Sequence, residues 1–286
     1  MEVTEPTSIA GRQVRTPRAS NRSAAPCLPP ALSSVPRVAF VPVPLELLLM
    51  TTGDRALSGG RTLRVAVWRG DAQTAVISPR PDHLTPTPFM IRECLDELTR
   101  KGMRQVVTSA LSPLERDVFL AAGFVVRERL HLLAHDLRHC PDSSSPARLR
   151  RARGADRAAV LALDRRAFDR FWGMDDAGLS EALAATPISR FRLAMDHQVA
   201  GYGVFGRAGD RGYVQRLAVD PDRFRRGIGT RLLADGLRWM RRHHVRQAMV
   251  NTQEGNDPAL ALYLHVGFRL EPTGLTVLTQ TLPVGL

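Results

Sequence analysis

The chain has 286 residues, 40 Lys+Arg against 28 Asp+Glu, a formal net charge of +12 and 44% hydrophobic residues. That balance fits a globular protein of one or two domains and excludes collagen, a disulfide scaffold and a wholly disordered chain. Lys101 is the only lysine, so the positive charge is almost all arginine, the side chain best shaped to hold phosphate at two points. On charge alone a phosphorylated ligand and a nucleic acid both stay open.

Residues 1–36 are rich in Pro, Ser, Thr, Ala and Arg without apolar periodicity, and are expected to form a disordered arm. Glu2, Glu5 and Arg12 precede no apolar run, so no secretory leader is expected. Ala39 to Met50 is short and broken by Pro42, Pro44 and Glu46, so no membrane span or membrane partner is expected. Cys27, Cys94 and Cys140 are far apart and odd in number, as for free thiols in a reducing cytoplasm, and they make no metal signature.

Two segments that alternate strands and helices follow, at 37–139 and 147–286, separated by the Pro- and Ser-rich linker 140–146. They share an internal repeat. Phe119-Leu120-Ala121-Ala122-Gly123-Phe124 and Tyr263-Leu264-His265-Val266-Gly267-Phe268 have the same aromatic, three-residue and Gly-Phe pattern, each followed by a β-patterned tail. Leu130, Leu133 and Leu137 match Leu275, Leu278 and Leu282, and a helical stretch leads into Gln105-Val106-Val107 in one copy and Gln247-Ala248-Met249 in the other. The order helix, strand, helix, Gly-Phe, strand therefore occurs twice.

In the second segment the patterning predicts a short strand at 148–153 and a helix at 155–168. Strands are then expected at 191–195, 199–205 and 213–219, a helix at 227–243, a strand at 247–252, a helix at 258–266 and last strands near Phe268 and 276–282. The expected class is α/β (α+β), with a mixed, mostly antiparallel sheet flanked by helices.

The most informative stretch runs from Leu217, Ala218 and Val219 through a turn to Phe224-Arg225-Arg226-Gly227-Ile228-Gly229-Thr230. It reads as a strand passing into a helix N-terminus. Such a terminus offers unpaired amides and a positive dipole end, and glycines let an anion come close, so the loop suits a pyrophosphate. Neither G-x-x-x-x-G-K-[ST] nor G-x-G-x-x-G is present. A solvated helix start with packing glycines is the plainer alternative.

Arg-Arg-Gly-Ile-Gly-Thr, helix, strand, Asn256, helix and Tyr263-x-x-x-Gly267-Phe268, in that order over about residues 147–282, resembles the GCN5-related N-acetyltransferase (GNAT) family. The resemblance implies an acetyltransferase-like fold in two tandem copies, with acetyl-CoA as co-substrate and a primary amine on a small molecule or peptide as acceptor. It assigns Leu217, Ala218 and Val219 to the pantetheine arm and thioester carbonyl. Arg225, Arg226, Gly227, Ile228, Gly229 and Thr230 fall to the pyrophosphate, and Asn256 to pantetheine or the acceptor side. Tyr263 becomes the acid that protonates the departing thiolate, by direct transfer in a ternary complex. Alternatives are that Tyr263 packs its ring beneath the sheet, as Phe119 would, and that Asn256 caps a helix.

Two positions depart from the family pattern. Phe224 stands where a polar side chain opens the glycine loop, and Gln215 stands where a glutamate base is common. The base is then water, an amine arriving neutral, or a carboxylate such as Glu254. The first copy has Pro79 to Pro88 in place of a glycine loop and Phe119 in place of the tyrosine, so it is expected to be a degenerate copy that shapes structure or substrate. The spacing of His131, His135 and His139 reads as strand rather than metal site, and no metal is expected. The arginines of 148–153 read as a solvated face. A non-catalytic acyl-CoA-binding regulator and a nucleic-acid-associated protein are the competing functions, though no nucleic-acid partner is expected, and a homodimer stays open.

Overall fold

A computed structural model describes residues 62–68, 71–80, 85–142 and 145–283. The expected arm at 1–36 and Cys27 lie outside the described residues. In chain order the elements are β1 (Leu63–Trp68), β2 (Asp71–Pro79), α1 (Pro88–Arg100), β3 (Gln105–Thr108), α2 (Pro113–Ala121) and β4 (Val125–His135). The second segment gives β5 (Arg148–Arg151), α3 (Arg157–Ala167), α4 (Asp176–Ala184), β6 (Ile188–Asp196), β7 (Gln198–Ala208) and β8 (Arg211–Val219). It ends with α5 (Ile228–Arg242), β9 (Gln247–Gln253), α6 (Asp257–Val266), β10 (Arg269–Leu270) and β11 (Leu275–Thr281). Helix α4 was not expected; Gly178 and an apolar pattern interrupted by Ser180 and Glu181 hid it.

The repeat is a repeat of geometry. Parallel pairs β2·β3 and β8·β9 are each joined by a crossover helix, and each is followed by a second helix and a strand. Both second helices stop in the same way, on a left-handed glycine, Gly123 at φ 100° and Gly267 at φ 104°. The amide of Phe124 returns to the Phe119 carbonyl, and that of Phe268 to Tyr263, which closes the last turn and seats one aromatic edge against the other. A residue with a Cβ would be strained at that φ.

The two segments do not close separate sheets. The strand order is β1-β2-β3-β11-β4-β9-β8-β7-β6-β5, with β10 also on β4. Strand β11, last in the second segment, pairs with β3 of the first through Thr279–Val107, while β4 of the first pairs with β9 through Leu133–Val250. The two exchanged strands then pair with each other, Leu275 against Leu130. The cores follow the strands: Leu278 and Leu282 sit with Ile77, Ile91, Leu98 and Phe119, and Leu133 and Leu137 with Leu237, Tyr263 and Phe268. Boundaries drawn at 139 and 147 therefore divide the sequence but not the sheet, and the described residues form one compact unit.

His135 is buried at the end of β4, where its Nδ1 accepts from the Leu137 amide and its Nε2 lies 3.3 Å from the Val266 carbonyl. Burial lowers its pKa and favours the neutral ring. Among the described residues no group of three or more His, Cys, Asp or Glu is placed to hold a metal. No helix among them is long and apolar enough to cross a membrane.

Leu278 is fully buried in the core of the other segment. Leu278→Ala should cost about 2–5 kcal/mol in denaturant unfolding and raise exchange of the amides in 74–77 and 105–108. A loss confined to the 275–281 amides would contradict the shared core.

Candidate functional site

Strand β8 carries the site, and a bulge sets which side chains it presents. Val204 of β7 opposes Arg216 and Phe205 opposes Val214, which leaves Gln215 as the extra residue. Val214 and Leu217 face the α5 side, whereas Arg216 and Ala218 pack toward α3. The polar residues at the bulge are buried, Gln215 at 2% exposure and Arg216 at 4%.

Burying Arg216 requires a counter-charge, and Asp164 on α3 supplies it. Arg216 Nε and Nη2 donate to the two Asp164 oxygens at 2.9 Å each, and Nη2 also donates to the Trp172 carbonyl at 2.7 Å. Asp164 further accepts from the Met174 amide at 2.7 Å and from the Tyr202 hydroxyl. Burial raises the Tyr202 pKa, so it stays a donor. The Arg216 guanidinium lies 3.5 Å from the centre of the Phe168 ring. Sequence reasoning missed this cluster. The available signal was Asp164 itself, an acid four residues after buried Val160 on the apolar face of its helix.

Beside β8 the sheet opens. Strands β8 and β9 pair only from Arg211–Gln247 to Tyr213–Met249, although they run on to Val219 and Gln253. The Asp220 amide donates to the Ala200 carbonyl at 2.9 Å, so by alternation Ala218 and Arg216 turn their backbone groups to β7. Leu217 and Val219 turn theirs to the gap. Ala218, grouped with them from sequence, is instead tied to Tyr202 and buried in the core.

The glycine loop closes one end of this gap. Gly227 has φ 69° and stands at the N-cap of α5, with no side-chain cap and no acidic residue in the first turn. The orphan amides of that turn are thus open to an anion. Arg225, at φ 61°, and Arg226 are exposed beside it, and Phe224 is 53% exposed. Ile228 is buried, and Thr230 is half-buried in the first turn. Gly229 serves packing: a Cβ there would come 2.7 Å from the Leu262 side chain of α6.

A cavity of about 70 Å³ lies in the gap, lined by residues that include Gln215, Arg216, Leu217, Asn256 and Tyr263. Tyr263 is 6% exposed, its ring 5.6 Å from Phe268, and burial holds its phenol above the ordinary value. It packs as Phe119 does and also lines the cavity. Asn256 does likewise: its Oδ1 caps α6 by accepting from the Ala259 amide at 3.2 Å, while the residue lines the cavity. Gln215 turns its amide away, donating through Nε2 to Thr186 Oγ1 at 3.0 Å. Glu254 is exposed at the end of β9 and is not part of the lining.

A second cavity of about 710 Å³ shares Phe168 with the first. Trp68, Thr74, Gln105 and Arg127 come to it from the first segment, and Arg165, Phe171 and Met174 from the second. Trp68 stacks on Phe171 at 4.9 Å, and the Arg127 guanidinium lies 3.7 Å from the Phe171 ring centre.

Residues 157–268 match the model of the acetyltransferase (GNAT) family. A mycothiol acetyltransferase from Clavibacter michiganensis is 38% identical over 74 residues, 26% of this chain and 24% of that protein. The matched stretch thus spans about a quarter of the curated relatives. Among solved structures, a tandem GNAT protein from the clavulanic acid biosynthesis pathway superposes with a TM-score of 0.58 at 17% identity, covering 80% of this chain and 81% of that one. A GCN5-related N-acetyltransferase from Sphaerobacter thermophilus gives 0.58 at 13%, covering 79% and 78%. At these identities the likeness is one of fold.

Arg216 and Asp164 are 3% and 0% exposed and lie 2.8 Å apart. Arg216→Met leaves a buried carboxylate without its partner and should cost about 3–5 kcal/mol in denaturant unfolding. Adding Asp164→Leu should recover much of that loss. An unchanged midpoint for the single variant would contradict this account of the cluster.

Proposed function

Because residues 157–268 match the model of the acetyltransferase (GNAT) family, we propose that this protein moves an acetyl group from acetyl-CoA to a primary amine by direct attack in a ternary complex. The observation that carries the reading is the gap between β8 and β9, with two strand amides facing it and a helix N-terminus that begins on left-handed Gly227 at its end. The residues fit the co-substrate. The first turn of α5 with Arg225 and Arg226 would hold the pyrophosphate, and the amides of Leu217 and Val219 the pantetheine arm and thioester. Gly229 leaves the Leu262 side chain room at the start of α5, and its amide belongs to the same first turn.

Acetyl-CoA supplies an activated thioester; the protein supplies placement, charge stabilisation and a proton. Strand amides fixed in a cavity of restricted size would stabilise negative charge gathering on the thioester oxygen without reorganising. Tyr263 would give its proton to the departing sulfur. Its raised pKa keeps it protonated through neutral and mildly alkaline pH, as that role requires. The acceptor would bring its body through the larger cavity, so the first segment, which has no glycine loop, would act by shaping that cleft. Free, buried Cys94, with its thiol pushed up to about 11 by burial, suits a reducing cytoplasm. Exposed Phe224 and non-basic Gln215 favour one other reading, an acyl-CoA-binding protein without turnover.

Calorimetric titration should show acetyl-CoA binding that Gly227→Val abolishes and Tyr263→Phe preserves. In thiol-release assays over a panel of primary amines, Tyr263→Phe should lower kcat by about 10²–10⁴-fold. No acetyl-CoA binding would overturn the reading. Binding without turnover on any amine would favour the regulatory one.

A further inference from the structure

The acceptor amine lacks an obvious base on the strand where one is expected, since the amide of Gln215 is turned to Thr186. The small cavity contains no carboxylate among its described lining residues, and its one charged side chain, Arg216, is matched by Asp164. A second carboxylate bonded to a lining residue, and one with no arginine on it, comes from the other segment. Glu128, on the exchanged strand β4, accepts from the Trp172 indole Nε1 at 3.4 Å through Oε2. Trp172 is 2% exposed and lines the small cavity; its neighbours Phe171 and Gly173 line the large one. On β4 itself Leu130 lines the small cavity and Arg127 the large one, so Glu128 lies in the strand between a lining residue of each and reaches the small cavity's wall through Trp172.

The state of Glu128 is unusual for this chain. It is half-buried in a protein of net charge +12, yet no arginine lies within ion-pair distance among the described residues. Its neighbours on β4 point elsewhere: Arg127 stacks on Phe171, and Arg129, exposed, gives its carbonyl to the Glu254 amide. Across from it β11 offers apolar Val277. From the 165–175 segment, Asp169 is engaged through Oδ1 with the Trp172 amide, and Arg165 and Arg170 line the far side of the large cavity. Arg216 is held by Asp164 and the Trp172 carbonyl. A carboxylate kept anchored but unpaired on a strand that lines both cavities is poised for a cationic ligand.

We propose that Glu128, carried into the cleft by the strand exchange, binds the acceptor's ammonium group and takes its proton. The inference rests on the acetyl-transfer reading. The steps balance: the ammonium gives one proton to the Glu128 carboxylate, and the neutral nitrogen then attacks the thioester carbon. The C–N bond forms as the C–S bond breaks. Tyr263 protonates the thiolate and regains a proton from the acylated nitrogen, and Glu128 releases its proton to solvent. One ammonium and one thioester thus give one amide, one thiol and one proton. The first segment then contributes a catalytic group as well as a wall, and Gln215 needs no basicity.

Glu128→Gln is the discriminating variant, because a glutamine oxygen can still accept from the Trp172 indole while losing charge and basicity. The probes are benzylamine, spermidine, glucosamine and Nα-acetyl-lysine, with thiol release followed from pH 5.5 to 10. On any amine the native protein acetylates, Glu128→Gln should lower kcat/KM at pH 7 by about 10²–10³-fold, within the range of general-base catalysis. Its remaining activity should climb with pH toward the amine's own pKa, while acetyl-CoA affinity and the unfolding midpoint stay unchanged. Glu128→Asp should restore part of the rate at pH 7. A Glu128→Gln profile that superposes on the native one overturns the proposal and leaves acetyl transfer standing. Native protein that binds acetyl-CoA but acetylates no probe overturns both.

Discussion

The site depends on two parallel strands ceasing to pair. Backbone donors inside a sheet are normally satisfied by the next strand, and those left facing a gap form a fixed row of hydrogen-bond donors. In this protein β9 leaves β8 after Met249 while its other edge stays paired with β4, from Ala248–His135 to Gln253–Leu130. The separation is therefore flanked by a strand that belongs, in sequence, to the other repeat. Fold and site share this origin: the exchange of β4 and β11 both joins the cores and brings β4 to the cleft.

The bulge at Gln215 adds a second constraint. It places two successive polar residues in the buried layer. Gln215 donates to Thr186, its Oε1 finding no partner among the described residues, and Arg216 donates to Asp164 and the Trp172 carbonyl, with Asp164 also accepting from Tyr202. These bonds tie β8 to α3 and to the segment that carries Phe171 and Trp172, which forms the wall between the two cavities. The wall of the proposed acceptor cleft is thus tied to β8 through the Arg216–Asp164 cluster.

Much of this architecture was legible in the sequence where the information is local. The strongly amphipathic 228–242 helix, the Gly267 stop and the strand at 247–253 follow from periodicity and from residues with special backbone preferences. The repeat was legible because both copies keep the same aromatic-to-glycine closure. The exchange was not: antiparallel pairing of Leu275 with Leu130 joins positions far apart in the chain, and the same leucine pattern would serve a strand folded back on its own segment. Asp164 was missed because an acid among apolar residues signals burial only when its partner is known, and Glu128 because Arg127 and Arg129 on either side make it read as a solvated strand edge. Gly229 was legible as a constraint, but that Leu262 occupies the space it leaves was not, because α6 comes about 30 residues later in the chain.

The central claim is that acetyl-CoA lies along β8 and over the start of α5. Hydrogen–deuterium exchange with and without acetyl-CoA tests it directly, because the relevant amides are the proposed contacts. The account predicts slowed exchange over 217–231 and at the start of α6, with the 148–151 edge strand unchanged. Binding that slows exchange elsewhere and leaves 217–231 untouched would contradict it.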